Sequence, residues 1–275
     1  MQISKNEENI EEIINEFDEM VGMEDIKNQL VMFLNAVEIN QKKYKAGKTK
    51  ELPCMNLRFV GPAGTGKTTV AKILGRLFCA KKILSNPEPV IKKAGDYYSG
   101  GHVDVMKSMM RLDFDSAKNG IILIDEFYNF NKGHSFGNLA MEALEVIKGA
   151  AVDYRGMLCI IIAGYEYEVN ETFAFNVGCK RRFPYEIKFR DYSMDELMKI
   201  FIKDIIKLGY TIDEDAQIAV AQIIDEKKAN KQERFENARY IKNLLIPKIC
   251  SVLEDGTNIA IETVKEAFPF EASLA

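Results

Sequence analysis

Hydrophobic positions along the chain follow first a helical period, then an alternation of short apolar runs with helical stretches, then the helical period alone. Ile10, Ile13, Ile14, Phe17 and Met20 share one face among acidic neighbours, and Val21-Gly22-Met23 interrupts them. A second helix is predicted from about Asp25 to Lys45, with Ile26, Leu30, Phe33, Leu34 and Val37 inward and a stop near Gly47. Met55 to Val60 reads as a buried strand, and Thr69 to Leu84 as a helix carrying Val70, Ile73, Leu74, Leu77 and Phe78 at helical spacing. Further strands are expected at Val90 to Lys93, Gly120 to Asp125, Met157 to Ala163 and Tyr185 to Phe189. Helices are expected from Val103 to Ala117 and from Gly137 to about Gly149, and loops from Ala94 to His102 and from Phe173 to Arg182. Five short strands separated by helices imply an α/β domain with a right-handed, doubly wound parallel sheet.

Past Asp191 the strand pattern stops. Ser193 with Glu196 forms a capping box, and helices follow at Met194 to Leu208, Ala216 to Ile224, Ala238 to Leu253 with a bend at Pro247, and Glu262 to Phe268. The expected division is residues 1–50 as N-terminal helices packing on the core, 51–191 as the α/β core and 192–275 as a small all-helical domain. Met106, Met109 and Met110 read as core filling, and the lysines from Lys42 to Lys50 as a solvated helix end complementing the dipole.

Composition narrows the chemistry. With 37 basic and 41 acidic residues among 275, the formal net charge of -4 offers no electrostatic footprint for nucleic acid, which is not an expected partner. The apolar run around Met157 to Gly164 is far short of the roughly 18 residues that span a bilayer, and the polar start lacks a signal peptide's apolar centre, so the expectation is a cytoplasmic protein without membrane contact. Five scattered cysteines, none in a C-x-x-C pair, read as reduced thiols. His102 and His134, the only histidines, are too few for a histidine-rich metal site.

One stretch dictates chemistry. Gly61-Pro62-Ala63-Gly64-Thr65-Gly66-Lys67-Thr68, followed by Thr69, fits G-x-x-x-x-G-K-[ST] between a strand and a helix. Small residues let successive backbone N–H groups face one anion, and the helix start adds unsatisfied donors and a positive dipole end. ATP with Mg²⁺ matches that cradle: Lys67 reaches the β and γ phosphates, and the Thr68 hydroxyl ligates the metal. Asp125 and Glu126 then emerge at the end of a continuous apolar strand, where open α/β sheets bind ligands. Asp125 is assigned to Mg²⁺, directly or through water, and Glu126 to deprotonating the attacking water.

The phosphate loop, the Ile124-Asp125-Glu126 strand end, Gly164-Tyr165 after the fourth strand, the basic Asn176-to-Arg182 loop and the helical C-terminal part together resemble the AAA+ ATPases. Ile162-Ala163-Gly164-Tyr165 and Phe235-Glu236-Asn237-Ala238-Arg239 are similar to the CbxX/CfqX branch, which contains the red-type Rubisco activases and stage V sporulation protein K. That resemblance implies a P-loop module with a helical lid, and a homo-oligomeric, hexameric ring acting on a protein client. Val21 and Gly22 would lie against adenine. Arg182, ahead of Arg181, would be the finger reaching a neighbouring subunit's γ phosphate, Arg239 the lid arginine closing on the nucleotide, and Tyr165 would stand at the first-sensor position, where asparagine is usual across AAA+ proteins. Tyr98, within Tyr97-Tyr98-Ser99-Gly100, would grip the client.

Two rival functions are a nucleotide-gated assembly module with little turnover and a nucleic-acid motor. Intact Lys67, Asp125 and Glu126 argue against the first, and the acidic balance against the second. A GTPase is disfavoured by the absence of an N-K-x-D sequence.

Overall fold

The computed structural model describes residues 10–98, 102–130, 137–174, 177–230, 234–253 and 256–269. The chain divides into two compact units, the first comprising residues up to Gly61 with Gly66–Phe189, the second Pro62–Thr65 with everything from Arg190 onward.

In the first unit α1 (Ile10–Asp18) and α2 (Glu24–Lys45) precede β1 (Leu57–Val60), α3 (Lys67–Ala80), β2 (Val90–Lys93), α4 (Val103–Ser116), β3 (Ile121–Asp125), α5 (Gly137–Asp153), β4 (Cys159–Gly164), α6 (Glu166–Ala174), α7 (Val177–Arg182) and β5 (Tyr185–Lys188). The strands form one parallel sheet in the order β2-β3-β4-β1-β5. Because side chains alternate along a strand, Val60, Ile122, Ile124, Ile160 and Ile162 share a core with Met106, Met110 and Phe114 of α4 and Leu144 and Ile147 of α5. Phe59, Leu123 and Ile161, of the opposite parity, are equally buried, so the sheet is covered on both faces, as continuous apolarity requires. Phe33 of α2 anchors the N-terminal helices, its ring centroid 6.0 Å from Phe78 of α3 and 4.9 Å from Tyr185 of β5.

Two expectations for this unit need correction. The segment 173–182 is not a loop: α6 and α7 occupy it apart from residues 175 and 176, because Phe173, Cys179 and Phe183 lodge in the core and the three cations of α7 sit in its last turn, where they complement the helix dipole. Ala94–Tyr98 is a 3₁₀ turn rather than an open loop. The methionine expectation holds, since Met106 and Met110 are buried and Met109 packs against the same core. Lys42, Lys43, Lys45, Lys48 and Lys50 are all exposed, the first three in the last turn of α2.

The second unit contains α8 (Met194–Lys207), β6 (Thr211–Ile212), α9 (Glu214–Ala229), α10 (Asn237–Tyr240), a π-helical turn at Ile241–Leu245, α11 (Ile246–Cys250), β7 (Asn258–Ile259) and α12 (Ile261–Ala267). The capping box is present: Glu196 N–H donates to Ser193 Oγ at 3.2 Å and Ser193 N–H to Glu196 Oε2 at 2.7 Å. Arg190 grips the same carboxylate through both guanidinium nitrogens, at 2.8 and 2.7 Å, and holds its pKa down to about 2. The lid is helical with one addition, a two-residue parallel pairing of β6 with β7. The irregularity expected at Pro247 lies one turn earlier. Pro247 cannot donate to the carbonyl four residues back, and the widened turn at Ile241–Leu245 accommodates that gap.

All five cysteines are free, Cys159 and Cys179 buried and the others half-buried. Burial pushes the Cys179 thiol up to about 11, which marks it as a packing residue. His102 is exposed at the start of α4, while His134 lies outside the described residues. Among the described residues no helix is long and apolar enough to cross a membrane.

Candidate functional site

The sheet order places β4 between the two strands that carry the chemistry. The phosphate loop leaves β1 and the carboxylates leave β3, and Gly61 N–H donates to the Gly164 carbonyl at the end of β4 at 3.0 Å. Lys93, last residue of β2, is in register with Asp125. Four carboxyl-terminal strand ends thus meet along one edge of the first unit, the place where open α/β sheets bind ligands.

Lys67 is 8% exposed and donates from Nζ to the Gly61 carbonyl at 2.9 Å, so the cation is aimed back over the loop it terminates. Gly66 takes a left-handed conformation, φ 94°, as the N-cap of α3, and leaves the first amides of that helix without intrahelical partners. Thr68 and Thr69 lie in that first turn, Thr68 half-buried and Thr69 exposed.

Asp125 and Glu126 differ in their settings. Asp125 Oδ1 accepts the N–H of Glu126 at 2.8 Å, which fixes the carboxylate at the strand tip. Glu126 has φ 53°, a left-handed conformation uncommon outside glycine and asparagine. Its oxygens meet Lys93 Nζ at 3.1 Å and Asn129 Nδ2 at 3.1 Å, and Asn129 N–H returns to the Glu126 carbonyl at 2.9 Å. Strained backbone of this kind is concentrated at functional sites.

In the second unit the crest of the loop, Pro62–Thr65, is gripped by the lid. Pro62 O accepts Thr65 Oγ1 at 2.8 Å, Ala63 O accepts Asn237 Nδ2 at 3.1 Å and Thr65 O accepts Tyr192 Oη at 3.4 Å. A Cβ placed on Gly64, whose φ is 69°, would fall 1.7 Å from the Glu236 carbonyl oxygen and 3.0 Å from Arg239 Cβ, so only glycine fits. Arg239 therefore has its root against the loop, while its exposed guanidinium pairs with Glu236 at 3.4 Å.

Other expected residues have different surroundings. Val21 and Gly22, half-buried, form the turn between α1 and α2, with Gly22 left-handed at φ 69°. Tyr165, half-buried, follows β4 directly, and its carbonyl accepts Val169 N–H at 2.9 Å as α6 begins. Arg182 is half-buried: its Nη1 turns back to the Gly178 carbonyl at 2.8 Å, and its own carbonyl is held by Asn56 Nδ2 at 3.0 Å. Arg181 is exposed. Tyr98 ends the 3₁₀ turn, and its side chain, Ser99 to Gly101 and Asn176 lie outside the described residues.

The residues fit a Mg²⁺–nucleotide. The carbonyls of Gly61, Pro62 and Ala63 are occupied by protein donors, a buried cation stands at the loop's end, and a carboxylate is fixed at the tip of β3. No cluster of three or more His, Cys, Asp or Glu able to cage a metal occurs among the described residues. Mg²⁺ sites at phosphates need only one or two protein ligands, since phosphate oxygens and water complete the octahedron.

Lys93 and Asn129 are not among the expected site residues, and Asn237 stands only within the Phe235-to-Arg239 motif, with no role of its own. Lys93 could have been suspected as a cation at a strand's carboxyl end, and Asn237 from its place two residues before Arg239. Asn129 carried no signal.

Comparison with known proteins agrees with this geometry. Residues 57–184 match the family described as "ATPase family associated with various cellular activities (AAA)", and residues 193–248 match the AAA lid domain. The chain is 28% identical over 239 residues to stage V sporulation protein K of Bacillus subtilis, covering 86% of this chain and 73% of that protein. It is 27% identical over 236 residues to protein CbbX of Cereibacter sphaeroides, covering 85% and 75%. Among solved structures, the Thermotoga maritima RuvB Holliday junction branch migration motor shares the fold at TM-score 0.59 and 16% identity, over 92% of this chain and 70% of that one. The FIGL-1 AAA domain in complex with ADP does so at TM-score 0.58 and 16% identity, over 96% and 91%. With its phosphate loop, paired carboxylates and lid matched in order, the chain belongs to the AAA+ ATPases, enzymes that hydrolyse ATP, and the relatives it resembles are of the CbxX/CfqX type.

Proposed function

We propose that this protein is a Mg²⁺-dependent ATPase that assembles into a homo-oligomeric, hexameric ring and uses hydrolysis to remodel a protein client. Two observations together carry the catalytic part: the buried Lys67 ammonium is turned onto the Gly61 carbonyl, and the Asp125 carboxylate is locked at the tip of β3 by the Glu126 N–H. In this reading the residues from Gly61 to Thr69 cradle the phosphates, with the backbone N–H groups that follow Pro62 as donors, Lys67 neutralises the β and γ oxygens, and Thr68 and Asp125 would hold Mg²⁺. When bound, that ion would supply charge neutralisation for the phosphates. Glu126 orients water and takes its proton, after leaving Lys93 and Asn129. Val21 and Gly22 flank adenine, Tyr165 lies beside the reacting water, and Arg239 reaches the nucleotide once it releases Glu236.

A finger must extend beyond its own subunit, and the exposed Arg181 is better disposed for this than Arg182, which is tied to Gly178. The ring and the client rest on kinship with stage V sporulation protein K and CbbX, and the client grip is assigned to Tyr98. A low-turnover assembly module has one observation in its favour, the engagement of both Glu126 oxygens. It requires turnover to be absent at every protein concentration.

Glu126→Gln tests the catalytic assignment. It should bind ATP as the parent does and hydrolyse it about 10²- to 10⁴-fold more slowly, the usual contribution of a general base. Parental turnover would remove Glu126 from that role.

A further inference from the structure

In a trans peptide the carbonyl and the following N–H point in opposite directions. Whatever holds a carbonyl of the phosphate loop therefore aims the next amide. Thr65 holds Pro62 O within the loop itself, but Ala63 O is held from outside, by Asn237 Nδ2 at 3.1 Å. The amide aimed by that bond belongs to Gly64, the residue packed hard against Glu236.

Asn237 is fully buried, with φ 50°. Its second amide hydrogen goes to Asp191 Oδ1 at 2.8 Å, and its Oδ1 accepts Tyr192 N–H at 3.1 Å. Two acceptors on one side and one donor on the other admit a single orientation of the carboxamide. No other residue type meets these requirements: aspartate lacks the donors, glutamine is one carbon too long, and asparagine tolerates the left-handed backbone.

We propose that Asn237 is a positioning residue for nucleotide binding, fixing the Gly64 N–H towards the phosphates by holding the Ala63 carbonyl. The inference rests on the phosphate-loop reading above. Neutral amide chemistry is essential here, because a carboxylate in its place would face both a carbonyl oxygen and the Asp191 carboxylate.

Asn237→Asp alone, and Asn237→Asp combined with Asp191→Asn, separate positioning from folding. The combination removes the like-charge contact and restores a bond between positions 191 and 237, but leaves Ala63 O without its donor. Melting temperature without nucleotide and affinity for a fluorescent ADP analogue with Mg²⁺ are measured on the full chain. The single variant should melt lower and bind about tenfold more weakly, the scale of one buried hydrogen bond lost beside a charge. The double variant should regain part of the lost melting temperature, short of the parent by the bond to Ala63, and stay about tenfold weaker. Recovery of affinity together with stability would overturn the proposal, as would parental affinity in the single variant. If the parent itself fails to bind the analogue, the phosphate-loop reading fails and this inference with it; a parent that binds while the variants bind equally well sinks the inference alone.

Discussion

Two glycines offer a matched test of how the loop crest is built. Gly47, at the end of α2, and Gly64 have almost the same backbone, φ 67° and 69°, but a Cβ on Gly47 would meet nothing within 4 Å, whereas on Gly64 it would lie 1.7 Å from Glu236 O and 2.7 Å from Glu236 C. Alanine at either position bears the left-handed penalty of about 1–2 kcal/mol. At Gly64 the Glu236 carbonyl must also retreat by more than about 1 Å to reach the closest approach real Cβ atoms show, and over-packing of this kind adds about 1–3 kcal/mol. Gly47→Ala should thus lower the melting temperature by a few degrees and Gly64→Ala by roughly twice as much or more, at about 2–4 °C per kcal/mol. Repeating the melts with Mg²⁺ and ADP adds the functional half. A ligand at a hundred times its Kd stabilises by about 2.7 kcal/mol. Gly47→Ala should retain the whole of that upward shift, and Gly64→Ala should lose most of it. Equal melting temperatures and equal nucleotide shifts in the two variants would show that the crest does not rest on the lid backbone as described.

Mixing tests the finger. If Arg181 acts between subunits, Arg181→Ala mixed with Lys67→Ala should recover part of the ATPase rate, while Arg182→Ala, which loses an internal bond to Gly178, should chiefly lower stability; rescue by Arg182→Ala alone would reverse the assignment. The Arg190–Glu196 pair predicts a pH dependence. Because the folded pKa of about 2 lies below the ordinary 4.5, Glu196 contributes stability that is fully present above pH 4.5 and is lost as pH falls towards about 2. The melting-temperature gap between parent and Glu196→Gln should therefore be constant near neutrality and narrow through that acidic window, and a constant gap down to pH 2 would refute the linkage.

What the sequence determined by itself is whatever depends on neighbours along the chain. The spacing of Ile26, Leu30, Phe33 and Val37 set α2, Ser193 and Glu196 set the start of α8, and the glycines with Lys67 and Thr68 set the phosphate loop, because periodicity, capping and anion binding all act over a few residues. The cations of Lys180 to Arg182 misled, since a helix end and a basic loop have the same composition, and only the burial of Cys179 and Phe183 separates them. Tertiary structure alone decided that β4 stands between β3 and β1, that Lys93 meets Glu126, and that Asn237 reaches back 174 positions to Ala63. Those bonds carry no local pattern. The first exists because strand order brings β2 and β3 side by side, the second because the buried Asn237 carboxamide must find partners away from water.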